Sequence, residues 1–216
     1  CLWLKDFSID EIKKFPIIYE RVENIRKFRL ASSSKENSRF AKYPTLFTRS
    51  RYIETPKIII PRTSSENRQY IPMDFIDSKI VVSDGATFVA NANVFHFGIL
   101  TSNVHMAWTK KFCGRLKSDF RYSRDMVYNT FVWCEPDAAQ KSRIEVTAQK
   151  ILDVRAEFED KTLAWLYNES TMPEELRNAH RENDLAVMAA YGFDENISEA
   201  EIVSALMKMY KHLTEK

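Results

Sequence analysis

The sequence predicts an α+β fold, in which a small mixed or antiparallel sheet with helices precedes an all-α helical C-terminal domain. Short β-branched and aromatic runs separated by turn residues lie between residues 57 and 90, and the spacing of apolar residues becomes helical after Pro136. A length of 216 residues suits one or two domains, so we expect residues 1–136 and 137–216 to form two domains. Apolar runs stay below the roughly 18 residues of a membrane span, which predicts a soluble protein without a membrane partner.

The predicted sheet is preceded by helical and loop sequence. Residues 9–30 carry apolar side chains at spacings of three and four, and Pro16 predicts a break or restart in this helix. The polar segment 31–38 predicts a mobile loop. Strands are then predicted at 57–60, 70–75, 79–82 and 86–90, with turn residues between them.

The second half of the chain begins with one long apolar segment. Residues 94–112 predict a buried helix capped by Gly114, and residues 126–133 have a strand-like composition. Three helices are predicted after Pro136, with Gly192 closing the middle one. The first buries Ile144, Ala148, Ile151, Arg155 and Phe158, and the other two begin at the capping boxes Thr171 to Glu174 and Ser198 to Glu201.

The net charge of +2 conceals an uneven distribution. Residues 1–140 hold 22 Lys and Arg against 15 Asp and Glu, whereas residues 141–216 hold 10 against 15. Residues 21–70 combine 12 basic and 4 acidic residues with several aromatic ones, a composition that suits nucleic acid. Four glycines without clustering argue against a nucleotide-binding loop.

The cysteines and the start of the chain suggest where the protein works. Cys1, Cys113 and Cys134 are odd in number and widely spaced, which predicts neither a disulfide framework nor a zinc site and favours a reducing cytoplasm. The chain starts without Met and without a signal pattern, so we expect a non-secreted fragment of a larger protein.

Three groups could carry chemistry, and each has a simpler interpretation. His96 and His105 fit a metal or acid–base pair, but their apolar neighbours favour core histidines. Lys110, Lys111 and Arg115 would lower the pKa of Cys113, although no partner His is evident. Asp74, Asp77 and Lys79 are spaced as in metal-dependent nucleases, and a turn between strands explains the same residues.

Two basic loops are the strongest candidates for binding. Residues 61–68 offer arginine forks and hydroxyls suited to phosphate. In the loop 115–125, Lys117 and Asp119 flank Ser118, so an extended chain would point both to one side. Lys117 could then donate to guanine while Asp119 accepts from cytosine N4 in one G·C pair. Weaker base-reading candidates are Arg115 and Asn129, and the DNA-backbone candidates are Arg62, Ser64, Ser65, Arg68, Lys110, Lys111, Arg121 and Arg124.

Five segments, in this order, resemble the target-recognition and C-terminal regions of MmeI-like enzymes. They are 60–72 (IPRTSSENRQYIP), 97–108 (FGILTSNVHMAW), 113–123 (CGRLKSDFRYS), 127–133 (VYNTFVW) and 171–190 (TMPEELRNAHRENDLAVMAA). These enzymes are large single-chain adenine-specific DNA methyltransferases, many fused to a nuclease as type IIL restriction-modification enzymes. The resemblance is strong from about residue 57 onward and weaker before it.

The resemblance implies that residues 1–136 are a DNA target-recognition domain and residues 137–216 the helical C-terminal domain. It implies duplex DNA and the methyltransferase domain of the parent chain as partners, with a nuclease domain left open. S-adenosylmethionine and the Asn-Pro-Pro-Tyr motif belong to the parent, so no cofactor is expected in this chain. Lys117 and Asp119 match the paired positions at which the family reads the base beside the methylated adenine, and Lys with Asp there would favour guanine.

Two other functions remain open at this point. The acidic helical tail could dock a protein partner, which would make the chain a protein-interaction module. Alternatively, Asp74 and Asp77 could serve a self-contained nuclease.

Overall fold

A computed structural model describes residues 1–48, 50 and 52–215. The chain divides into two compact units, residues 1–52 and 53–216. The predicted α+β class is confirmed, because small antiparallel sheets and helices precede a wholly helical C-terminal region. Among the described residues, no helix combines the length and apolar character needed to cross a membrane.

The first unit is helical. It contains α1 (Ile9–Lys13), α2 (Pro16–Leu30), α3 (Lys35–Arg39) and a 3-10 turn at Phe40–Lys42. The predicted break at Pro16 is confirmed, and this proline is the first residue of α2, where its missing N–H costs nothing. The prediction of a loop over 31–38 is wrong in its second half, because Ser34 accepts a hydrogen bond from the Asn37 N–H and starts α3.

Two three-stranded antiparallel sheets open the second unit. Its strands are β1 (Lys57–Pro61), β2 (Thr63–Ser64), β3 (Asp74–Ile76), β4 (Ala86–Ala90), β5 (Gly114–Leu116) and β6 (Asp119–Arg121). One sheet has the order β3-β1-β4 and the other β2-β6-β5. The strands predicted at 57–60 and 86–90 are confirmed, whereas the strand predicted over 70–75 shrinks to β3. Residues 79–82 are irregular, because Asp77 accepts from the backbone N–H groups of Lys79 and Ile80 and forms a turn.

The apolar segment 94–112 forms two helices rather than the predicted one, α4 (Val94–Leu100) and α5 (Asn103–Phe112). Ser102 interrupts them, since its hydroxyl accepts from the His105 N–H and caps α5. The predicted cap at Gly114 is wrong, because α5 ends at an extended Cys113 and Gly114 already belongs to β5.

Residues 126–133 do not form the predicted strand. Ser123 accepts a hydrogen bond from the Met126 N–H, and Arg124–Tyr128 then form one π-helical turn. Val127 is buried beneath this turn, so its strand-like composition reflects burial rather than pairing.

The C-terminal region consists of α6 (Ala138–Ala156), α7 (Leu163–Leu166), α8 (Glu174–Ala190) and α9 (Glu199–Thr214). The three long helices match the prediction, and α7 is an additional short one. The capping box from Ser198 to Glu201 is present, and Gly192 follows α8 with a φ of +70°. The capping box at Thr171 is wrong, because α8 begins after Pro173 and the Thr171 hydroxyl donates to the Trp165 carbonyl.

Helices α4, α6 and α8 meet at Gly98. A Cβ at this position would lie 2.7 Å from Ile144 Cγ2 and 2.9 Å from Ala148 Cβ. The Gly98 carbonyl accepts from the Asn183 side chain at 2.8 Å. The missing side chain at Gly98 thus allows α4 to pack closely against α6 in the core.

A buried polar chain connects residues 70–74 with the C-terminal helices. The Tyr70 hydroxyl donates to Asp184 Oδ2 at 2.6 Å, and the Tyr70 ring stacks on His180 at 4.1 Å. The Tyr167 hydroxyl lies 2.7 Å from His180 Nε2 and accepts from Arg155. Arg155 also donates to the Met73 carbonyl at 2.8 Å. These bonds satisfy buried polar groups that would otherwise be costly.

Candidate nucleic-acid interface

Residues 114–121 form a β-hairpin, which we call the recognition hairpin. Strands β5 and β6 pair with Leu116 opposite Asp119, which leaves Lys117 and Ser118 as a two-residue loop. Lys117 has a φ of +56°, in the left-handed region that side chains other than glycine rarely adopt. The expectation of an extended chain from Lys117 to Asp119 is therefore wrong, because a tight turn separates the two residues.

The register of the second sheet separates its residues into two faces. Residues directly opposite each other in an antiparallel pair share a face. Thr63, Arg121 and Gly114 therefore lie on one side with Leu116 and Asp119. We call this side the open face, since its side chains are exposed or, for Asp119, half-buried.

The opposite side of this sheet packs inward. Ser64, Phe120 and Arg115 are cross-strand neighbours there, and both Ser64 and Phe120 are buried. Arg115 and Asp119 thus point to opposite faces, although both were candidates for reading bases.

Arg115 is tied to its own hairpin. Its guanidinium carbon lies 4.4 Å from the centroid of the Phe120 ring, and its Nη1 donates to the Ser118 carbonyl at 2.9 Å. The Arg115 side chain therefore holds the loop through contacts on the inward side of the sheet.

The loop at 61–68 partly satisfies its own polar groups. The Arg62 guanidinium donates to the Asp84 carbonyl at 3.1 Å, and Ser65 Oγ accepts from the Asn67 N–H. Ser64 is 2% exposed, and its hydroxyl accepts from Arg68 at 3.3 Å. Arg62 is exposed and Arg68 half-buried, so the guanidinium groups are more accessible than the Ser64 hydroxyl.

The remaining candidates fall into two places. A groove of about 700 Å³ brings Lys110, Lys111 and Arg115 together, on the side of the sheet that faces α9. Lys110 forms an ion pair with Glu199 at 2.6 Å, and Lys111 is exposed. Arg124 and Asn129 line a separate small cavity with β4 residues, and both side chains donate to Asp125.

Several residues on these surfaces were not among the sequence candidates. Thr63 and Leu116 lie on the open face, and Leu116 is 51% exposed. Arg177, near the start of α8, joins Arg68 and Lys110 around a cavity of about 210 Å³. Thr63 belongs to the loop 61–68, whose hydroxyls were predicted to suit phosphate, but it was not singled out, and only strand register could have found Leu116. Arg177 lies in the C-terminal region, where the excess of acidic residues gave no reason to single it out.

The alternative chemical groups have structural explanations. His105 is fully buried in α5, with its Nε2 3.0 Å from the Tyr122 hydroxyl, and burial lowers its pKa to about 3. His96 lies on α4, so the two histidines do not share a helix. The prediction of a lowered pKa for Cys113 is wrong, because burial raises the pKa of this thiol more than Arg115 lowers it.

The acidic pair at the first sheet is bound within the protein. Asp74 accepts from the Phe75 N–H at 2.9 Å and lies 3.7 Å from Arg155 Nη1. Asp77 Oδ1 accepts from the Lys79 N–H at 2.7 Å, which is the turn that the sequence offered as the simpler interpretation. Across residues 1–48, 50 and 52–215, no group of three or more His, Cys, Asp or Glu is arranged to hold a metal ion.

Fold and surface together define a class: an α+β recognition module whose exposed β-hairpin is carried on a helical base. The chain belongs to the MmeI family. The family model for the MmeI target recognition domain matches residues 1–135, and the model for the MmeI C-terminal domain matches residues 136–216. The resemblance found in the sequence is thereby confirmed.

Two relatives are similar along the whole chain. DNA methyltransferase A of Bacillus subtilis (strain 168) is 38% identical over 216 residues, which are 100% of this chain and 24% of that protein. The type IIL restriction-modification enzyme MmeI, solved in complex with DNA, is 38% identical with a TM-score of 0.95 and is matched over 100% of this chain and 29% of its own. The chain thus spans about a quarter of the length of these relatives.

Proposed function

We propose that this chain recognises a short duplex DNA sequence on behalf of an adenine-N6 DNA methyltransferase. The observation that carries the proposal is the recognition hairpin, which holds Lys117 at its exposed turn and Asp119 on the open face. The likeness to an MmeI chain solved with DNA supports it. A two-stranded ribbon of this size fits the major groove, where each base pair presents a distinct pattern of donors and acceptors.

Lys117 and Asp119 are assigned to base readout within this proposal. Lys117 would donate to guanine O6 or N7, and Asp119 would accept from cytosine N4 of the same pair. Lys117 lies within the tight turn, and Asp119 is the first residue of β6 after it. Asn129, beside Arg124, is a secondary candidate for a base edge.

The arginines and lysines around the hairpin are assigned to the DNA backbone. The exposed side chains Arg62, Lys111, Arg121 and Arg124 are the first candidates for phosphate contacts. Arg68, Ser65 and Lys110 follow, because these three side chains are half-buried. Ser64 supports Arg68 through its hydroxyl rather than reaching phosphate itself.

The chemistry would take place elsewhere in the parent chain. Methylating adenine N6 requires flipping the base out of the stack, and S-adenosylmethionine would be bound by the methyltransferase domain. Residues 1–136 would supply DNA recognition and residues 137–216 would support them. We infer that the parent enzyme works in the prokaryotic cytoplasm, where it would meet cellular DNA.

The test exchanges the charge pattern of the hairpin in the full-length enzyme. Lys117→Glu with Asp119→Arg should move the accepted base pair at one position from guanine to cytosine, as read by methylome sequencing. Lys111→Ala serves as the control. Losing a phosphate contact should weaken binding to all DNA sequences alike and lower the slope of log K against log salt by about one.

Two results would count against the proposal. An active double variant with an unchanged methylated motif refutes base readout by this pair. Binding of the parent enzyme to duplex DNA that does not respond to salt would favour the protein-interaction alternative.

A further inference from the structure

Arg115 lies on the opposite face of the recognition hairpin from Asp119. The register that places Asp119 and Arg121 on the open face places Arg115 on the inward side, opposite Phe120. A side chain on that side points toward α9 and the groove that also contains Lys110 and Lys111. Arg115 therefore does not share the face from which Asp119 would read a base pair.

The contacts of Arg115 converge on the turn. The first contact is with the ring of Phe120, which is 3% exposed and lies in the core. The second contact is with the Ser118 carbonyl, which accepts a hydrogen bond from Arg115 Nη1 at 2.9 Å. Only a planar guanidinium can stack on the ring at 4.4 Å and donate in its own plane at once. Arg115 thus connects the exposed turn to a buried core residue.

The turn needs such support because Lys117 occupies a rare conformation. A φ of +56° in a residue other than glycine persists when the surrounding structure constrains it. Lys117 itself is exposed, so its own side chain contributes no packing. Pairing of Leu116 with Asp119 constrains both ends of the loop, and Arg115 adds a contact at the Ser118 carbonyl within it.

We propose that Arg115 is a positioning residue that sets the specificity of the hairpin by holding the turn that presents Lys117 and Asp119. This inference rests on the proposed function, since it requires that these two residues read a base pair. Arg115 contacts neither base nor phosphate in this role. Losing it changes discrimination at the base pair that Lys117 reads and leaves the electrostatic part of binding intact.

The experiment measures kcat/KM for methyl transfer by the full-length enzyme on its recognition sequence and on duplexes with one base pair changed at a time. Lys117→Ala and Asp119→Ala first identify the base pair that the hairpin reads. Arg115→Lys keeps the charge but loses the stacked fork, and we expect it to reduce discrimination at that same base pair about tenfold. Phe120→Leu removes the ring from beneath the guanidinium and should reduce the same discrimination.

Controls separate positioning from binding and from folding. The slope of log K against log salt should be unchanged in Arg115→Met, because no phosphate contact is lost. Arg26→Lys, a surface arginine paired with Glu23 on α2, should leave discrimination unchanged. The melting temperature of each variant shows whether the chain still folds.

Four outcomes would overturn the inference. Full discrimination in Arg115→Lys shows that the fork is dispensable, and a salt slope reduced by about one in Arg115→Met shows a phosphate contact instead. A loss of discrimination at a different base pair shows that Arg115 reads a base directly. If Lys117→Ala and Asp119→Ala alter discrimination at no base pair, the proposed function itself fails and this inference fails with it.

Discussion

Replacing Lys117 by glycine should stabilise the protein while impairing its selectivity. The residue has a φ of +56° at the exposed turn of the recognition hairpin. The left-handed conformation costs a residue other than glycine about 1–2 kcal/mol, and glycine avoids this cost. Glycine also gives the unfolded chain more freedom, which costs about 0.5–1 kcal/mol. The difference predicts that Lys117→Gly raises the free energy of unfolding by about 0–1.5 kcal/mol.

Urea unfolding of the variant and the parent sequence measures this difference as a shift in midpoint at constant slope. Ser118→Gly is the matched control, because Ser118 occupies the same loop with a negative φ. It has no strain to relieve, so it should lower the free energy of unfolding by about 0.5–1 kcal/mol. If Lys117→Gly destabilises the protein as much as Ser118→Gly does, the reasoning from backbone strain is refuted.

The same variant separates stability from function. In the full-length enzyme, Lys117→Gly should lower discrimination at its base pair by about tenfold, in line with the 1–3 kcal/mol of a good base contact. A residue that costs stability in its native conformation and improves recognition is expected at a functional site. An enzyme that gains stability and keeps its full selectivity would show that Lys117 has no part in readout.

Three further predictions concern the helices α4, α8 and α9. Gly98→Ala should lower the free energy of unfolding by about 1–3 kcal/mol, because its Cβ would lie 2.7 Å from Ile144 Cγ2; a variant as stable as the parent in urea would contradict the close crossing. Burial raises the pKa of Asp184 to about 7. The folded state therefore keeps a proton that the unfolded state loses near pH 4. The free energy of unfolding should fall as the pH rises from about 4 to 7, by about 4 kcal/mol at most. Asp184→Asn should remove this dependence in unfolding measured across that range, and an unchanged pH profile would assign the dependence to other groups. Ser198→Ala should cost about 1 kcal/mol by removing the capping box with Glu201, and thermal unfolding of a variant without any loss would argue against the cap.

Local signals in the sequence were sufficient for the elements that depend on neighbours along the chain. The break at Pro16 and the start of α9 at Ser198 follow from capping and backbone chemistry within a few residues. Composition also located the basic loops. It failed over residues 126–133, where apolar side chains are buried by a turn rather than by strand pairing.

The candidate site depends on contacts that local patterns do not contain. The face on which Arg115 lies is set by the pairing of β2 with β6, which joins Thr63 to Arg121 across the chain. Treating residues 117–119 as an extended part of a loop missed both the hairpin and the tight turn between Lys117 and Asp119. Residue identity therefore predicted the chemistry, whereas register and turn geometry decided how it is presented.

The buried polar chain limits how such proteins can be recombined. Tyr70 and Met73 lie before the recognition hairpin, while their hydrogen-bond partners Asp184 and Arg155 lie after residue 136. A chimera that joins residues 1–136 of one relative to the C-terminal helices of another would pair these buried groups with foreign partners. Exchange of specificity between relatives should therefore transfer residues 53–216 as one piece, or else substitute only exposed residues of the hairpin.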